Sequence, residues 1–310
     1  MRVLTDNVSY ANQLFPKNSN LWEIPDSNSN KKKPFYKKMF QGKSFQKSNV
    51  QSPLIWKDVI IVEHASHSQY DALIDLSRNN AYLENGVICL ASKGANFHGF
   101  KNRHWESPPG NIYLSAYFAP NQPIDNFGVG FMILAAVSVL DVLDSIPEIK
   151  NKAMIKWVND VFIDNAKVCG FLAYTQSEGN KVTGVVIGIG LNVETTPEIE
   201  VTPFVPKVAS LADYCNDKEF CNQEYVFTKL IKAIDKNYRT LIEGGYFQLI
   251  KSYRQRSLAI GREVDVCLDK PDSEIKVIAN GLVTGIGDNL ELHIKDFSQP
   301  ITKGRLILKN

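Results

Sequence analysis

The chain is poor in the features that would make it a secreted, membrane-bound or metal-stapled protein. It has five cysteines, Cys89, Cys169, Cys215, Cys221 and Cys267, and no two are spaced CxxC. An odd count, mostly inside apolar runs, fits reduced, buried thiols in a cytoplasm and argues against a disulfide framework or a zinc knuckle. The most apolar stretch, from Phe127 to Leu140, falls short of the roughly 20 residues that a bilayer takes. Asp141 and Asp144 interrupt it. The opening MRVLTDNVSYANQLFP lacks the apolar core of a signal peptide. Lys+Arg 35 against Asp+Glu 33 leaves a net charge of only +2, so global charge points to no acidic partner. There is no GxxxxGK[ST] phosphate loop, no helix-turn-helix pattern and no internal repeat. The expectation is a soluble, intracellular protein without a membrane partner.

What is there is a sizeable globular chain. Its 310 residues, 44% of them hydrophobic, suggest about two domains with a full core. Residues 1–16 predict a strand and a short helix. Residues 17–52 are rich in Ser, Asn and Lys. Between Asn30 and Ser48 stand seven lysines and no acid, interleaved with Phe35, Tyr36, Phe40 and Phe45. Such mixing can bind single-stranded nucleic acid, but a solvated surface loop is the favoured reading. From Trp56 the pattern predicts strands at KDVIIVEH, GVICLAS and IYLSAYF. It also predicts a helix capped by Ser66 and running to Arg78, and a central helix over 127–145 capped by Asp125 or Asn126. Asn222 predicts the start of a helix of about 20 residues, ended by Gly244-Gly245. From Gly261, short alternating strands separated by turns at 269–272, 287–289 and 299–300 predict a small β-barrel-like domain.

Two segments carry chemistry. Residues 153–192 read as three β-like runs joined by tight turns, antiparallel because the turns are too short for a crossover. Polar residues stand at their ends: Lys156, Asn159 and Asp160, then Lys167, then Asn192 after Gly188 and Gly190. Glycine in a strand marks close approach by a ligand or another backbone, and an ammonium, an amide and a carboxylate there suit an anionic ligand and a metal. The second segment is the loop 93–111. Lys93, His98, Lys101, Arg103 and His104 fall within it with no acid before Glu106, and cations neutralise charge on phosphoryl oxygens. Histidine pairs His64/His67 and His98/His104 have no evident third ligand, so surface histidines are favoured over a metal centre.

Together these segments resemble the biotin protein ligases of the biotin/lipoate ligase superfamily. The family loop GRGRxGRxWxSPxGN is matched by FHGFKNRHWESPPGN, and KWPND by Lys156-Trp157-Val158-Asn159-Asp160. The family's lysine before a glycine strand is matched by Lys167 ahead of Gly170, and GxGxN by Gly188 to Asn192. The resemblance covers about residues 56–310. It implies an α+β fold, a mixed β-sheet flanked by helices, with a small C-terminal SH3-like β-barrel. The implied division is an N-terminal extension (1–55), a catalytic domain (56–257) and the β domain (258–310).

The resemblance also implies ATP, Mg²⁺ and biotin as ligands. Biotinyl-5′-AMP would form first, and a lysine of a carboxylase's biotin carboxyl carrier domain would then accept the biotin. Lys167, Arg103 and Lys101 become the catalytic candidates. His98, Gly99, Trp105, Lys156, Asn159 and Asn192 become the ATP and adenylate ligands. Ser66, His67, Gln69, Gly170 and Gly188 would hold biotin, and Asp160 the metal. A homodimer is allowed and nucleic acid is not expected as a partner. Some positions depart from the family. Two of its arginines fall at His98 and Phe100, one loop glycine at Asn102, the Thr-Asn of STNQ at His67 and Ser68, and a glutamine before the loop near Gly94. The alteration lies at the acid-binding end. Ligation of lipoate, octanoate or another acid therefore stays open, as does a degenerate member or a binding module. Cys169, two residues from Lys167, is expected on the same strand face, which keeps a thiol nucleophile as a minor alternative.

Overall fold

The computed structural model describes residues 1–15, 22–25, 33–79, 83–268 and 275–309. The turn expected at 269–272, and the 17–21 and 26–32 parts of the Ser-, Asn- and Lys-rich segment, lie outside these residues. The strands of the larger sheet are β1 (Arg2–Thr5), β2 (Gln46–Asn49), β3 (Asp58–Ala65), β4 (Val87–Gly94), β5 (Ile112–Phe118), β6 (Gln122–Pro123), β7 (Ala153–Lys156), β8 (Asp160–Ile163), β9 (Ala166–Glu178) and β10 (Lys181–Leu191). Their order is β2-β1-β3-β4-β5-β10-β9-β8-β7, with β6 also paired to β10. The β1–β3 and β3–β4 pairs are parallel and the remaining pairs antiparallel, so the sheet is mixed. The antiparallel order expected through 153–193 holds. The first run there is two strands rather than one, because the chain turns at Trp157–Asn159 between β7 and β8.

The sheet is buried on both faces, which is why β3 reads as an almost unbroken apolar run. Val59 and Ile61 face one core, Ile60 and Val62 the other. The first face is covered by α1 (Val8–Leu14), α4 (Phe127–Leu143), α5 (Gln223–Ile242) and α6 (Tyr246–Gln255). Helix α4 is apolar nearly all round because it lies between the sheet and α5 and α6. The second face is covered by α2 (Lys33–Phe40) and α3 (Gln69–Arg78).

Three local expectations need correction. The lysine-rich segment is not simply a solvated loop. It forms α2 and β2, with Phe35 and Phe40 buried against Leu73 and Leu76 and Phe40 stacked on Phe45 at 4.3 Å. The burial of those rings outweighs the surrounding charge. Helix α3 starts at Gln69, and its cap is Ser68, whose hydroxyl accepts from the Asp71 amide at 3.2 Å. Ser66 lies too far upstream for that bond. Asn126 is at the N-cap of α4 but makes no side-chain capping bond there, since its backbone is left-handed, φ 52°. Asn222 caps α5 as expected, accepting from the Tyr225 amide at 2.9 Å.

The C-terminal strands are β11 (Glu263–Leu268), β12 (Lys276–Ile286), β13 (Leu292–Ile294) and β14 (Arg305–Leu308), in the antiparallel order β13-β12-β11-β14. This second small sheet is consistent with the SH3-like domain expected. It is fastened to the larger unit by polar bonds. The Trp157 indole donates to the Leu290 carbonyl at 2.6 Å, Arg254 donates to Ile286 at 2.7 Å, and the Tyr246 hydroxyl donates to Asp288.

A fourth correction concerns the thiols. Cys89, Cys169 and Cys267 are free and buried, but Cys215 and Cys221 are paired, with Cα atoms 6.3 Å apart. The segment between the 194–210 connection and α5 folds back on itself, which brings two cysteines six residues apart together.

Candidate active site

A cavity of about 540 Å³ opens between α3, the loop 97–106, strands β8 to β10 and the connection 197–208. Its floor is a pair of glycines facing each other across β9 and β10, Gly170 and Gly190. The Trp105 indole lies on them. A Cβ at Gly190 would come within 2.6 Å of that ring, and one at Gly170 within 2.9 Å. Gly188 is similarly covered by Tyr70, at 3.0 Å. The glycines therefore make room for rings, a packing reason for GxG in an otherwise β-branched strand.

Lys167 enters the cavity because β9 is bulged. Val161 pairs with Cys169, but the next residue, Phe162, pairs with Lys167, so Val168 is extra. The extra residue reverses the alternation. Lys167 and Gly170 face the cavity, while Cys169 is fully buried in the core. Burial pushes the Cys169 thiol far above its ordinary range, although Lys167 acts in the other direction. The expectation that Cys169 shares the face of Lys167 is thus overturned, and the thiol is not placed as a nucleophile. Lys167 makes an ion pair with Asp160 at 2.7 Å and lies 5.1 Å from the centre of the Trp105 ring.

The loop folds as a small hairpin. The Trp105 amide donates to Phe97 at 2.9 Å and the Gly99 amide to Arg103 at 2.7 Å. Lys101 and Asn102 both take positive φ at its tip, 57° and 56°. Asparagine tolerates that conformation, which accounts for Asn102 standing where the resemblance places a glycine. His98 joins the loop to α3: Nε2 meets the Asp71 carboxylate at 2.7 Å and Nδ1 the Gly99 carbonyl at 3.0 Å. Burial opposes its charged form, but those two contacts outweigh it and hold its pKa above the usual value.

Among the described residues, four buried side-chain polar atoms lack any hydrogen-bond partner, and all belong to residues lining this cavity. They are Gln69 Nε2 and Oε1, Trp105 Nε1 and Asn192 Oδ1. Gln69 is 5% exposed and Asn192 2%. Polar atoms so buried are normally satisfied, so a bound ligand is the natural partner. The other amide atom of Asn192 is used, donating to Ala209 at 3.0 Å, and Asn159 donates to Phe171 at 2.9 Å.

Of the expected site residues, Gln69, His98, Gly99, Arg103, Trp105, Asn159, Asp160, Lys167, Gly170, Gly188 and Asn192 meet at this cavity. Ser66, His67, Lys101 and Lys156 are not among its lining. His67 and Lys101 are exposed. Lys156 is buried and donates from Nζ to the Phe204 carbonyl at 2.6 Å. Sequence reasoning missed Tyr70, the 197–208 wall and Arg305, which reaches the cavity from β14. No local signal joins residue 305 to residue 167. Only the docking of the second sheet does so.

Residues 66–192 match the family model described as the Biotin/lipoate A/B protein ligase family. The chain is 28% identical over 188 residues to the Bacillus subtilis bifunctional ligase/repressor BirA, covering 60% of this chain and 56% of that protein. It is 27% identical to the biotin--[acetyl-CoA-carboxylase] ligase of Mycobacterium tuberculosis, covering 68% and 75%. The matched part is a little over half the length of the Bacillus proteins. In fold it is similar to the Aquifex aeolicus biotin protein ligase solved with biotin and ATP, with a TM-score of 0.60 at 21% identity, covering 82% of this chain and 99% of that one. Through residues 66–192, this chain is thus similar to the biotin/lipoate A/B protein ligase family.

Proposed function

We propose that the protein is a biotin protein ligase. The observation that carries this reading is the meeting, in one cavity, of the Lys167 ammonium with buried and unpartnered amide and indole atoms. The Gln69 carboxamide offers both N–H donors and an acceptor oxygen, which suits the ureido group of biotin. Lys167 offsets repulsion when the acid carboxylate attacks the α-phosphate of ATP and pyrophosphate leaves. In the second step, the amine of an acceptor lysine attacks the acyl carbon and AMP leaves. Arg103 lines the cavity and would neutralise phosphate charge there, and the acceptor would be a carrier domain of a carboxylase.

Asp160 and the free Asn192 Oδ1 are oxygen ligands of the kind Mg²⁺ takes. No group of three His, Cys, Asp or Glu side chains is assembled among the described residues, so phosphate oxygens would complete the shell. Bound there, the ion would supply charge neutralisation on the phosphates.

One observation favours a second reading, another carboxylic acid in place of biotin. The Phe97 ring fills the space beside Gly94, where a Cβ would lie 2.3 Å from it. By resemblance that is a glutamine position, so the acid end is less polar than in the family.

ATP–pyrophosphate exchange driven by biotin, lipoate and octanoate in parallel separates the two. Biotin-driven exchange is expected, with a fall on the order of 10²–10³ in Lys167→Ala. Exchange with lipoate or octanoate alone would establish the second reading, and near wild-type exchange in the variant would remove Lys167 from its role.

A further inference from the structure

Lys156 is a buried cation outside the cavity. It stands at the end of β7, paired across the strands with Asp160. Its ammonium does not point into open space. It donates to the Phe204 carbonyl at 2.6 Å and lies 5.3 Å from the centre of the Phe162 ring. Phe204 is at the tip of a tight turn in which Thr202 and Val205 exchange both backbone hydrogen bonds at 3.0 Å. On its other side, the Phe204 ring is stacked by the Arg305 guanidinium at 3.9 Å. Phe204 and Val205 share a small core with Cys267 of β11, flanked by Val208 and Ile307. The turn is therefore wedged between the two sheets, and Pro197 to Val208 on either side of it form one wall of the cavity.

We propose that Lys156 is a positioning residue, a strut that fixes the Phe204 turn and through it sets the cavity wall 197–208 and its junction with Arg305. That this wall serves ligand binding rests on the ligase reading above. A buried ammonium is unfavourable unless a partner compensates it, and here burial lowers the Lys156 pKa to about 8 despite Asp160. An apolar side chain of similar length would fill the site with less penalty. The strut explains what the ammonium does there: without it the turn's carbonyl has no donor from β7. A wall ordered only part of the time lowers apparent affinity in proportion to its ordered fraction. It leaves the groups that touch the reacting atoms unchanged.

The test is Lys156→Met in the full chain. The variant is expected to melt no lower than the wild type and to show faster hydrogen exchange of amides 197–208, with the rest of the chain unchanged. In pyrophosphate exchange, KM for ATP is expected to rise roughly tenfold, with kcat within about twofold. Phe204→Leu, which keeps the carbonyl but removes the ring from Arg305, should speed exchange in the same segment. Combining both should add little to Lys156→Met alone, as for one mechanical unit. Unchanged exchange at 197–208 overturns the proposal, as does a fall in kcat with KM unaltered, which would place Lys156 in the chemistry. If Lys156→Met fails to fold, unchanged exchange at 197–208 in Phe204→Leu overturns it alone. A wild type without acid-dependent turnover refutes the ligase reading instead, and the amide exchange still decides the strut.

Discussion

At the scale of residues, the site is defined by what each side chain is denied. Among the described residues, Gln69 has no hydrogen-bond partner for either end of its amide, and Cys169 has no access to the cavity although its neighbour two positions back does. Phe100 is the residue whose consequence is most open to measurement. It lines the cavity, 42% exposed, at a place where the resemblance puts an arginine. A guanidinium can grip phosphate oxygens through two bonds, whereas a phenyl ring cannot. Phe100→Arg is therefore expected to slow escape of the acyl-adenylate. Its dissociation rate in the two proteins measures this, and equal rates would mean that neighbouring cations of the loop already provide the grip.

At the scale of elements, the loop 97–105 is held to α3 by the contact between His98 and Asp71. The His98 pKa is raised in the folded protein. The stabilisation is therefore complete below the unfolded value of about 6.5 and is lost as pH rises through the folded value. The groups facing His98 are Asp71 and the Gly99 carbonyl, with the Tyr70 ring 6.4 Å away. Proteolysis after Lys101 or Arg103 should accelerate as the pH rises above about 6.5, and His98→Gln should flatten that dependence. A flat profile in the wild type would show that the contact does not hold the loop. The strands and long helices were legible in the sequence, because alternation and caps such as Asn222 are local. Helix α2 was not, since the burial of Phe35 and Phe40 depends on α3, some thirty residues further along the chain. The bulge in β9 was also hidden, because a register shift is a property of two strands.

At the scale of the whole molecule, the two sheets act on one cavity. The larger one supplies Asp160, Lys167 and Asn192, and the smaller one supplies Arg305. Trp157, next to the strut lysine, is anchored to Leu290 of the smaller unit. Ligands that bind across this junction should stabilise the chain as a unit. Biotin at about 100 times its Kd would add about 2.7 kcal/mol, and Mg-ATP a further increment that Asp160→Ala should remove. Thermal melts with each ligand check this. A shift with lipoate or octanoate but none with biotin would favour the second reading of the acid. Arg305 could not be assigned from sequence for the same reason that makes this coupling possible: its partners are far away along the chain.

Strand β9 carries one residue more than β8 between its pairings with Val161 and Phe162, and that surplus acts as a parity bit. In an even ladder, an amine at 167 and a thiol at 169 would share a compartment. The single miscount sends one to the ligand and the other to the hydrocarbon interior. What kind of reagent this strand presents therefore depends on an odd or even number of residues, as well as on which residues they are. A family that lengthened or shortened this segment by one could exchange an electrostatic site for a nucleophilic one without altering either side chain.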